Sequence, residues 1–458
     1  MNEAPLSPGN PTSKDEQQRR RLNRSAWLYL LHAGLLTSSL AIYGLFFNLL
    51  ILALGYSRDF LGLLNMVSVA VAAGLSIPLW WLVTRIGLRR ALLISAVFQA
   101  AGVFVFAGWP SAMPLLFAVT LGGAAAVLFQ VSSPPFMMQH SDASSRDHLF
   151  SANAAINIGL AGVGSLGAGY LPTVFGGLLG ANVESPLVYR VTFAVAGAGL
   201  LLSLVPLLLI DQPRAPGAGQ TINDERGVSA GRSWPRSLRV PRLRLAALHP
   251  SSLPEPWRTM LMHPGPIIRL MVPPFLISCG AALLIPYLNL FFKESFRIPD
   301  TTLGQIFAAL GIATGLAALA GPVLSTRIGK MGTIVLTQAI SIPFLLVLGF
   351  VPILGVAVGA ALARAALFNM GSPLFDAFAM ERTDEAARPA VIGLINGAYS
   401  AGYLVAPVIS TRVQARYGFT PLFVMTAICY ALAVTANYWF FLRGRRQPGA
   451  TLWAVPEK

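Results

Sequence analysis

The chain has 458 residues, of which 55% are hydrophobic and only 11% are charged. Soluble domains carry about 25% charged residues, so this composition excludes an ordinary soluble protein. The net charge of +15 fits either a nucleic-acid-binding protein or a membrane protein, and the positions of the basic residues decide between these two classes.

Apolar runs of about 20 residues recur along most of the chain, and a helix of that length crosses a hydrocarbon layer about 30 Å thick. Lipid offers the backbone no hydrogen-bond partner, and the runs are too long for barrel strands. We therefore predict an all-α membrane protein with twelve transmembrane helices. The runs occupy residues 27–52, 61–83, 91–109, 113–137, 150–174, 188–210, 267–292, 302–325, 332–351, 353–378, 390–411 and 419–442.

The basic residues are distributed unequally between the two sides of the membrane. When the spans are counted from a cytoplasmic N-terminus, 26 of the 33 Lys and Arg fall in cytoplasmic segments and Arg364 falls within a span. This asymmetry follows the positive-inside rule and predicts a multi-pass protein of the plasma (inner) membrane with both termini in the cytoplasm. Charge scattered over loops beside lipid also argues against nucleic-acid binding. The basic residues predicted on the outer side are Arg58, Arg190, Lys293, Arg297, Arg412 and Arg416.

Residues 1–25 are polar and lack the apolar core of a signal peptide, so we expect the first span to remain in the mature protein. Cys279 and Cys429 both lie within spans, where we expect them to pack rather than to form a disulfide or hold a metal. We expect the protein to work as a monomer in the lipid bilayer.

The only long polar segment lies between the sixth and seventh spans, at residues 211–266. It is rich in Pro, Gly and Ser and carries eight Arg from Arg214 to Arg258, which predicts a flexible cytoplasmic linker. An alternative is that its piece RSLRVPRLRLAAL lies on the anionic inner leaflet. The predicted organisation is an N-terminal tail at 1–25, a six-helix bundle at 26–210, the linker, a second six-helix bundle at 267–442 and a C-terminal tail at 443–458.

Two short motifs occur once in each half of the chain. Thr-Arg-Ile-Gly at 84–87 returns at 326–329, 242 residues later, and each copy follows the second span of its half. LFQVSSPPF at 128–136 matches LFNMGSPLF at 367–375, 239 residues later, at the end of the fourth span of each half. Equivalent copies at equivalent places predict two related bundles, and parallel repeats of six spans build one large transporter architecture.

The spanning region resembles the major facilitator superfamily, whose signature after spans two and eight is Gly, three residues, then Asp-Arg-x-Gly-Arg-Arg/Lys. The residues that match it are Arg85, Gly87, Arg89, Arg90, Arg327, Gly329 and Lys330. The residues that depart from it, at the acidic and leading glycine positions, are Thr84, Thr326, Trp80 and Pro322. The resemblance implies pseudo-two-fold symmetry and a cavity lined by spans one, four, seven and ten. Loops that follow spans four and ten also resemble those of bacterial drug or arabinose efflux proteins.

Arg364, in the middle of the tenth span, is the most informative single residue. An Arg at a helix centre costs about 2.5–3.5 kcal/mol to insert, so we expect it to face protein or a water-filled cavity. Asp376 lies twelve residues away, about 18 Å along a helix, which is too far for a direct ion pair. The partner of Arg364 is then a set of backbone carbonyls, His32 or an anionic group of a substrate. Its role is either structural or in substrate binding or coupling.

His32 in the first span and Asp376 near the cytoplasmic end of the tenth are the other titratable groups predicted within the membrane. Imidazole exchanges protons near neutral pH, so His32 is either a coupling group or a structural histidine. Asp376 is either a coupling carboxylate or a local cap of its helix.

Amide and aromatic side chains within the spans are predicted either to contact a substrate or to bond helices together. These side chains are Gln130, Asn153, Asn157, Tyr287, Asn289, Asn369, Asn396, Tyr399 and Tyr403. The fifth span also carries five glycines between Gly159 and Gly169. Small residues at this spacing allow two helices to approach closely, as a rocking mechanism requires.

Together these features favour a secondary active transporter that works by alternating access, with proton-linked efflux of amphiphilic small molecules as the leading hypothesis. One alternative is a transporter or flippase of lipids or anionic solutes that uses Arg364. A second alternative is a transporter-like receptor that moves nothing. No nucleophile–base pair, metal cluster or phosphate loop occurs in the sequence, so we expect neither an enzyme nor a cofactor.

Each half also places an arginine in its basic turn and an acid after its fourth span. We predict ion pairs of Arg85 or Arg89 with Asp142, and of Arg327 with Glu381. These pairs would form a cytoplasmic gate in the outward-facing state and separate when the cavity opens inward.

Overall fold

The computed structural model describes residues 23–141, 146–210, 264–383 and 387–443. Within these ranges, twelve helices are long and apolar enough to cross a membrane. The predicted all-α, twelve-helix fold class is therefore confirmed. Asp142, most of the predicted linker and most of both predicted tails lie outside the described residues.

The N-terminal half contributes the helices named α1 to α6. Their bounds are α1 Arg24–Ala53, α2 Arg58–Ile86, α3 Leu88–Gly108, α4 Ala112–Gln139, α5 Arg146–Leu179 and α6 Pro186–Leu202, which continues as Leu204–Leu208.

The C-terminal half contributes α7 to α12, several of which have two segments. Their bounds are α7 Pro264–Leu284, continued through a 3-10 turn Ile285–Tyr287 as Leu288–Phe296; α8 Asp300–Ile328; α9 Lys330–Phe350; α10 Leu354–Met370, continued as Ser372–Glu381; α11 Arg388–Tyr417; and α12 Thr420–Asn437, continued as a π-helix Tyr438–Leu442.

The repeated Thr-Arg-Ile-Gly turn has the same backbone conformation in both halves. Gly87 follows α2 with φ 86° and ψ 157°, and Gly329 follows α8 with φ 78° and ψ 159°. Residues with a Cβ rarely adopt such positive φ values, so each turn favours glycine. In both turns the glycine N–H donates to the carbonyl four residues earlier at 2.9 Å. The two halves therefore share one helix-to-helix corner, as a structural repeat requires.

The second repeated motif differs in structure between the halves. α4 continues as a helix through Ser132, Pro134 and Pro135. In α10 the helix is interrupted at Gly371, the residue that corresponds to Ser132. The α10 interruption comes two residues after Asn369 and the 3-10 turn of α7 contains Ile285, and both of these residues line the cavity described below.

The polar contacts that the described residues make between the two halves are concentrated at one end of the bundle. We call the face where α1 begins and α12 ends the terminal face, and the other the opposite face. Among the described residues, every side-chain hydrogen bond and ion pair between the halves lies toward the opposite face. The conformation is therefore closed at the opposite face.

Close helix contacts accompany this closure. A Cβ on Gly169 of α5 would lie 2.7 Å from the carbonyl oxygen of Asp300 and 3.0 Å from Cα of Gly304, both in α8. A Cβ on Gly62 of α2 would collide with Thr411 of α11. Gly169 faces α8, whereas a Cβ on Gly167 would meet nothing within 4 Å. The close helix approach predicted for the α5 glycines therefore occurs at Gly169.

We expect Gly169→Ala to destabilise this conformation and Gly167→Ala to be tolerated. The added methyl at position 169 forces α5 away from the α8 backbone, and overpacking of this kind costs about 1–3 kcal/mol. At position 167 the same change adds helix propensity, worth up to about 1 kcal/mol. Thermal unfolding of the two purified variants checks this, and equal midpoints would contradict the assigned α5–α8 contact.

Candidate functional site

A cavity of about 470 Å³ lies on the terminal-face side of the closed layer. Its walls come from α5, α7, α8, α9 and α10. Helices α7 and α10 therefore contribute as the resemblance implied, whereas α1 and α4 do not line this cavity. Three residues that the sequence singled out meet in its wall, namely Asn157, Arg364 and Asn369.

Arg364 is 7% exposed and lines the cavity. Its Nη2 donates a hydrogen bond of 2.7 Å to the hydroxyl of Tyr430 in α12. Its Nε is buried and has no hydrogen-bond partner. The sequence suggested His32 as one possible partner of Arg364. His32 bonds to a different residue, and the partner of Arg364 is Tyr430.

Aromatic rings surround the guanidinium of Arg364. Its Cζ lies 5.1 Å from the ring centroid of Phe368 and 5.6 Å from that of Tyr430. These two rings stack on each other with centroids 4.4 Å apart. In α11, Tyr399 and Tyr403 form a second stacked pair, with ring centroids 5.4 Å apart. The arginine is therefore held by cation–π contacts and one hydroxyl rather than by a carboxylate.

The other polar groups of the cavity are few. Asn157 accepts a hydrogen bond of 2.6 Å from Thr37 through Oδ1, and its amide nitrogen makes no recorded bond. Asn369 donates to the carbonyl of Ala365 at 2.9 Å, which leaves its carbonyl oxygen as a further acceptor. Thr314 completes the polar set. The remaining lining is aliphatic or aromatic apart from Gly311, so the cavity combines an apolar wall with one cation and a few amide and hydroxyl groups.

A pair of buried amides joins the halves next to Ile285 and Leu288 of the cavity lining. Asn48 of α1 donates to Oδ1 of Asn289 at 2.8 Å and to the carbonyl of Pro286 at 2.5 Å. Asn289 donates in return to the carbonyl of Leu45 at 2.8 Å. The 3-10 turn of α7 supplies both the Pro286 carbonyl and a cavity-lining residue, Ile285. Closure and cavity thus share one short segment.

Ion pairs lie outside these amides. Arg58 of α2 forms two hydrogen bonds with Glu294 of α7, at 2.7 and 2.8 Å, and a third with Gln414 of α11 at 3.0 Å. The side chains of Arg58 and Glu294 are 23% and 39% exposed. Both bonds to Glu294 come from the same nitrogen, Nη2, and a pair this exposed contributes at most about 1 kcal/mol.

A second cluster centres on Lys293. Its ammonium lies 2.7 Å from Glu184 of the N-terminal half and 2.6 Å from Asp300 of its own half. Tyr189 of α6 donates to the second oxygen of Asp300 at 3.2 Å. Because the Asp300 side chain is fully buried, these partners satisfy a carboxylate that would otherwise be costly to bury.

Tyr287 and Asn289 belong to the closed layer rather than to the cavity. The hydroxyl of Tyr287 donates to the carbonyl of Pro407 at 3.3 Å and accepts from Asn65 at 3.5 Å. His32 is fully buried within the N-terminal half, where its Nδ1 donates to the carbonyl of Ser203 at 2.8 Å. Its Nε2 is buried without a partner.

The remaining candidates lie apart from the cavity lining. Asp376 is exposed on the second segment of α10 and makes no recorded hydrogen bond. Asn153 is half-buried with an unpartnered Oδ1. Three further candidates have exposed side chains, namely Gln130, Asn396 and Tyr399.

At the terminal face, the predicted gate residues have other partners in this conformation. Arg85 stacks on Trp81 at 4.5 Å, and Arg89 donates to the carbonyls of Leu207 and Leu208. Glu381 forms an ion pair with Lys330 rather than with Arg327. The pairs of Arg327 with Glu381, and of Arg85 or Arg89 with Asp142, are expected in the other conformation and stay predictions.

Sequence reasoning missed the ion pairs that close the opposite face, whereas Tyr287 and Asn289 were among the side chains predicted either to contact a substrate or to bond helices together. Asp300 and Glu184 flank apolar runs and resemble ordinary loop acids. One signal was present, because Arg58 and Lys293 lie on the side that the positive-inside rule depletes of basic residues. Basic residues retained there have a local reason, and these two hold the halves together.

Comparisons with known proteins agree with this architecture. The sequence profile of the family described as Major Facilitator Superfamily matches residues 30–371 and again residues 270–452. A search of curated proteins gave no significant match.

Solved structures of transporters share the fold. A variant of the nucleoside transporter NupG is 14% identical, with a TM-score of 0.64 over 90% of this chain and 100% of that chain. A bacterial homologue of the human lysosomal transporter Spinster, in an inward-facing and unoccupied conformation, is 15% identical, with a TM-score of 0.65 over 94% and 96%. A D-xylose–proton symporter is 16% identical, with a TM-score of 0.65 over 91% and 97%.

We expect Arg58→Gln to shift the protein toward a state open at the opposite face. Loss of the Arg58–Glu294 pair removes up to about 1 kcal/mol of stabilisation from the closed state, which is about a fivefold change in the ratio of closed to open states. Distances between spin labels at Trp109 and Tyr417, exposed near the opposite face in different halves, report that ratio. The control is Asp59→Asn, because the Asp59–Arg412 pair is longer, at 3.9 Å, and more exposed. An equal response of both variants would contradict a specific role for Arg58.

Proposed function

The chain belongs to the major facilitator superfamily and is a secondary transporter, and we propose that it carries amphiphilic small molecules by alternating access. The single observation that carries this proposal is the cavity beside Arg364, which is mostly apolar, contains few polar groups and lies next to a closed layer between the halves. A substrate with an apolar body and a small polar group matches such a lining.

The closed layer supports alternating access because its bonds can be exchanged. It joins the halves through two amides, two ion-pair clusters and glycine contacts. The ion pairs are partly exposed and individually weak, so a second conformation of similar free energy is accessible when other contacts form at the terminal face. The same helix-to-helix corner occurs at Gly87 and Gly329, and this similarity supports a mechanism in which two similar bundles move relative to each other.

The proposed orientation determines which side of the membrane the described cavity faces. With both termini in the cytoplasm of a cell bounded by the plasma (inner) membrane, the terminal face is cytoplasmic and the described conformation faces inward. We propose efflux coupled to protons, with His32 and Asp376 as the predicted proton carriers. Support for His32 is its unpartnered buried Nε2, and support for Asp376 is its exposed position near the terminal face.

Reconstitution into liposomes tests this function. The purified chain, with a pH-sensitive dye inside the liposomes, is screened against neutral, anionic and cationic amphiphiles. We expect substrate-dependent proton flux for at least one class. Spin-label pairs at Trp109–Tyr417 and at Arg90–Ile328 should change in opposite senses when that substrate and a gradient are added, since one face opens as the other closes. Two invariant distances and no flux would indicate a non-transporting receptor.

The predicted gate at the terminal face has its own test. We expect Arg327→Gln to lower the population open at the opposite face by about twofold to fivefold, because it removes an exposed pair worth up to about 1 kcal/mol in that state only. Lys330→Gln is the matched control, since the Lys330–Glu381 pair is present in the described state. The same spin-label distances measure both variants. If the Arg327 variant leaves the populations of the two conformations unchanged, Arg327 has no role in the gate and serves only to set the orientation of the chain in the membrane.

A further inference from the structure

We propose that the cavity binds an organic anion, with Arg364 as its counter-ion and Tyr430 as the residue that positions Arg364. This rests on the proposed transport of amphiphiles and specifies the charge of the substrate.

The cavity carries one positive charge that no protein group neutralises. Among the described residues, Arg364 has no ion pair with a carboxylate, and the lining contains no Asp or Glu. Buried charges are ordinarily paired. A single cation in an apolar enclosure therefore attracts anions, weakly accommodates neutral molecules and repels cations.

Arg364 also has donor capacity to spare. Its side chain is more than nine-tenths buried, yet Nε is without a partner and Tyr430 occupies only Nη2. An unpartnered charged donor inside protein is costly. Because Arg364 lines the cavity, an acceptor bound there contacts the guanidinium through its accessible edge. Guanidinium presents its donors as a planar fork, which suits the two oxygens of a carboxylate, sulfonate or phosphate group.

The orientation of this fork is set before any ligand binds. The Tyr430 hydroxyl accepts from one edge of the guanidinium, while Phe368 and Tyr430 lie within cation–π distance. Tyr430 is itself 1% exposed and stacked on Phe368, so it cannot easily rotate away. Preorganisation of this kind reduces the entropy lost on binding.

The rest of the lining determines the chemistry of the uncharged part of the ligand. Leu284, Leu288, Phe307, Leu310 and Leu345 form apolar walls, which favour a hydrophobic body over an inorganic anion. The ligand class is therefore an organic anion with an apolar body.

Three probes of one shape and different charge test the proposal. They are naphthalene-2-sulfonate, naphthalene-2-sulfonamide and trimethyl(2-naphthyl)ammonium. Binding to the purified full chain in lipid nanodiscs is measured by calorimetry. We expect the sulfonate to bind at least about tenfold more tightly than the sulfonamide, a difference of about 1.4 kcal/mol, and the ammonium to bind least.

Variants then assign the preference to Arg364. Arg364→Gln should remove the preference for the sulfonate while the affinity for the sulfonamide stays within about twofold. Arg364→Lys should retain part of the preference for the sulfonate, because lysine keeps the positive charge but lacks the planar fork of donors. Tyr430→Phe keeps the ring and the arginine but removes the acceptor, and we expect a loss of about twofold to tenfold for the sulfonate.

A matched control separates charge recognition from damage to the fold. Arg190→Gln removes another partly buried arginine, one that bonds the carbonyls of Ala107 and Gly108 away from the cavity. Its probe preference should equal that of the unaltered protein. If Arg364→Gln does not fold, the Lys and Phe variants still test the proposal.

Equal affinity for the three probes, tighter binding of the ammonium, or no binding of any probe would overturn the anion site. A preference for the sulfonate that survives in Arg364→Gln would overturn the role of this arginine. These outcomes are independent of transport. Flux of neutral amphiphiles without a preference for anions would support the proposed function and reject the anion site. Anion binding without flux would support the anion site and reject the proposed function.

Discussion

A hydrogen-bonded layer at the opposite face joins the two halves of the protein. The reciprocal bonds of Asn48 and Asn289 lie at its centre, with Arg58–Glu294 and the Lys293 cluster toward the outside. The buried amides supply geometry, because each would be costly to leave unpartnered. The exposed ion pairs add little energy individually. A closure built in this way is specific in register and low in strength, as a reversible gate requires.

The same layer determines where the cavity lies and what it contains. The 3-10 turn of α7 gives its Pro286 carbonyl to Asn48 and its Ile285 to the cavity, so a ligand in the cavity touches the segment that closes the protein. Arg364 faces this space from α10, held by Tyr430 and Phe368. A buried cation and a gate element thus share one compartment, which offers a direct physical route from ligand binding to conformational change.

Much of the fold was predictable because lipid imposes strict rules on length and polarity. The twelve apolar runs correspond to twelve helices, and the repeated Gly87 and Gly329 turns have one conformation. The cost of burying Arg364 in lipid also predicted that it faces protein or a cavity. Its partner was not predictable, because Tyr430 is one of many span tyrosines and only tertiary packing selects it. The Arg58–Glu294 pair joins residues 236 positions apart, and no spacing rule connects them. The lining by α5, α8 and α9 likewise depends on how tightly the glycines of α5 pack against α8.

The closed layer at the opposite face implies an access route to the cavity from the terminal face. The most direct test of this route uses Thr314→Cys, at the cavity wall, in a chain whose Cys279 and Cys429 are replaced by Ala. An impermeant maleimide is applied from either side of oriented vesicles without substrate. The structure predicts modification from the terminal-face side and little from the other side. Rapid modification from the opposite face, with none from the terminal face, would contradict the account.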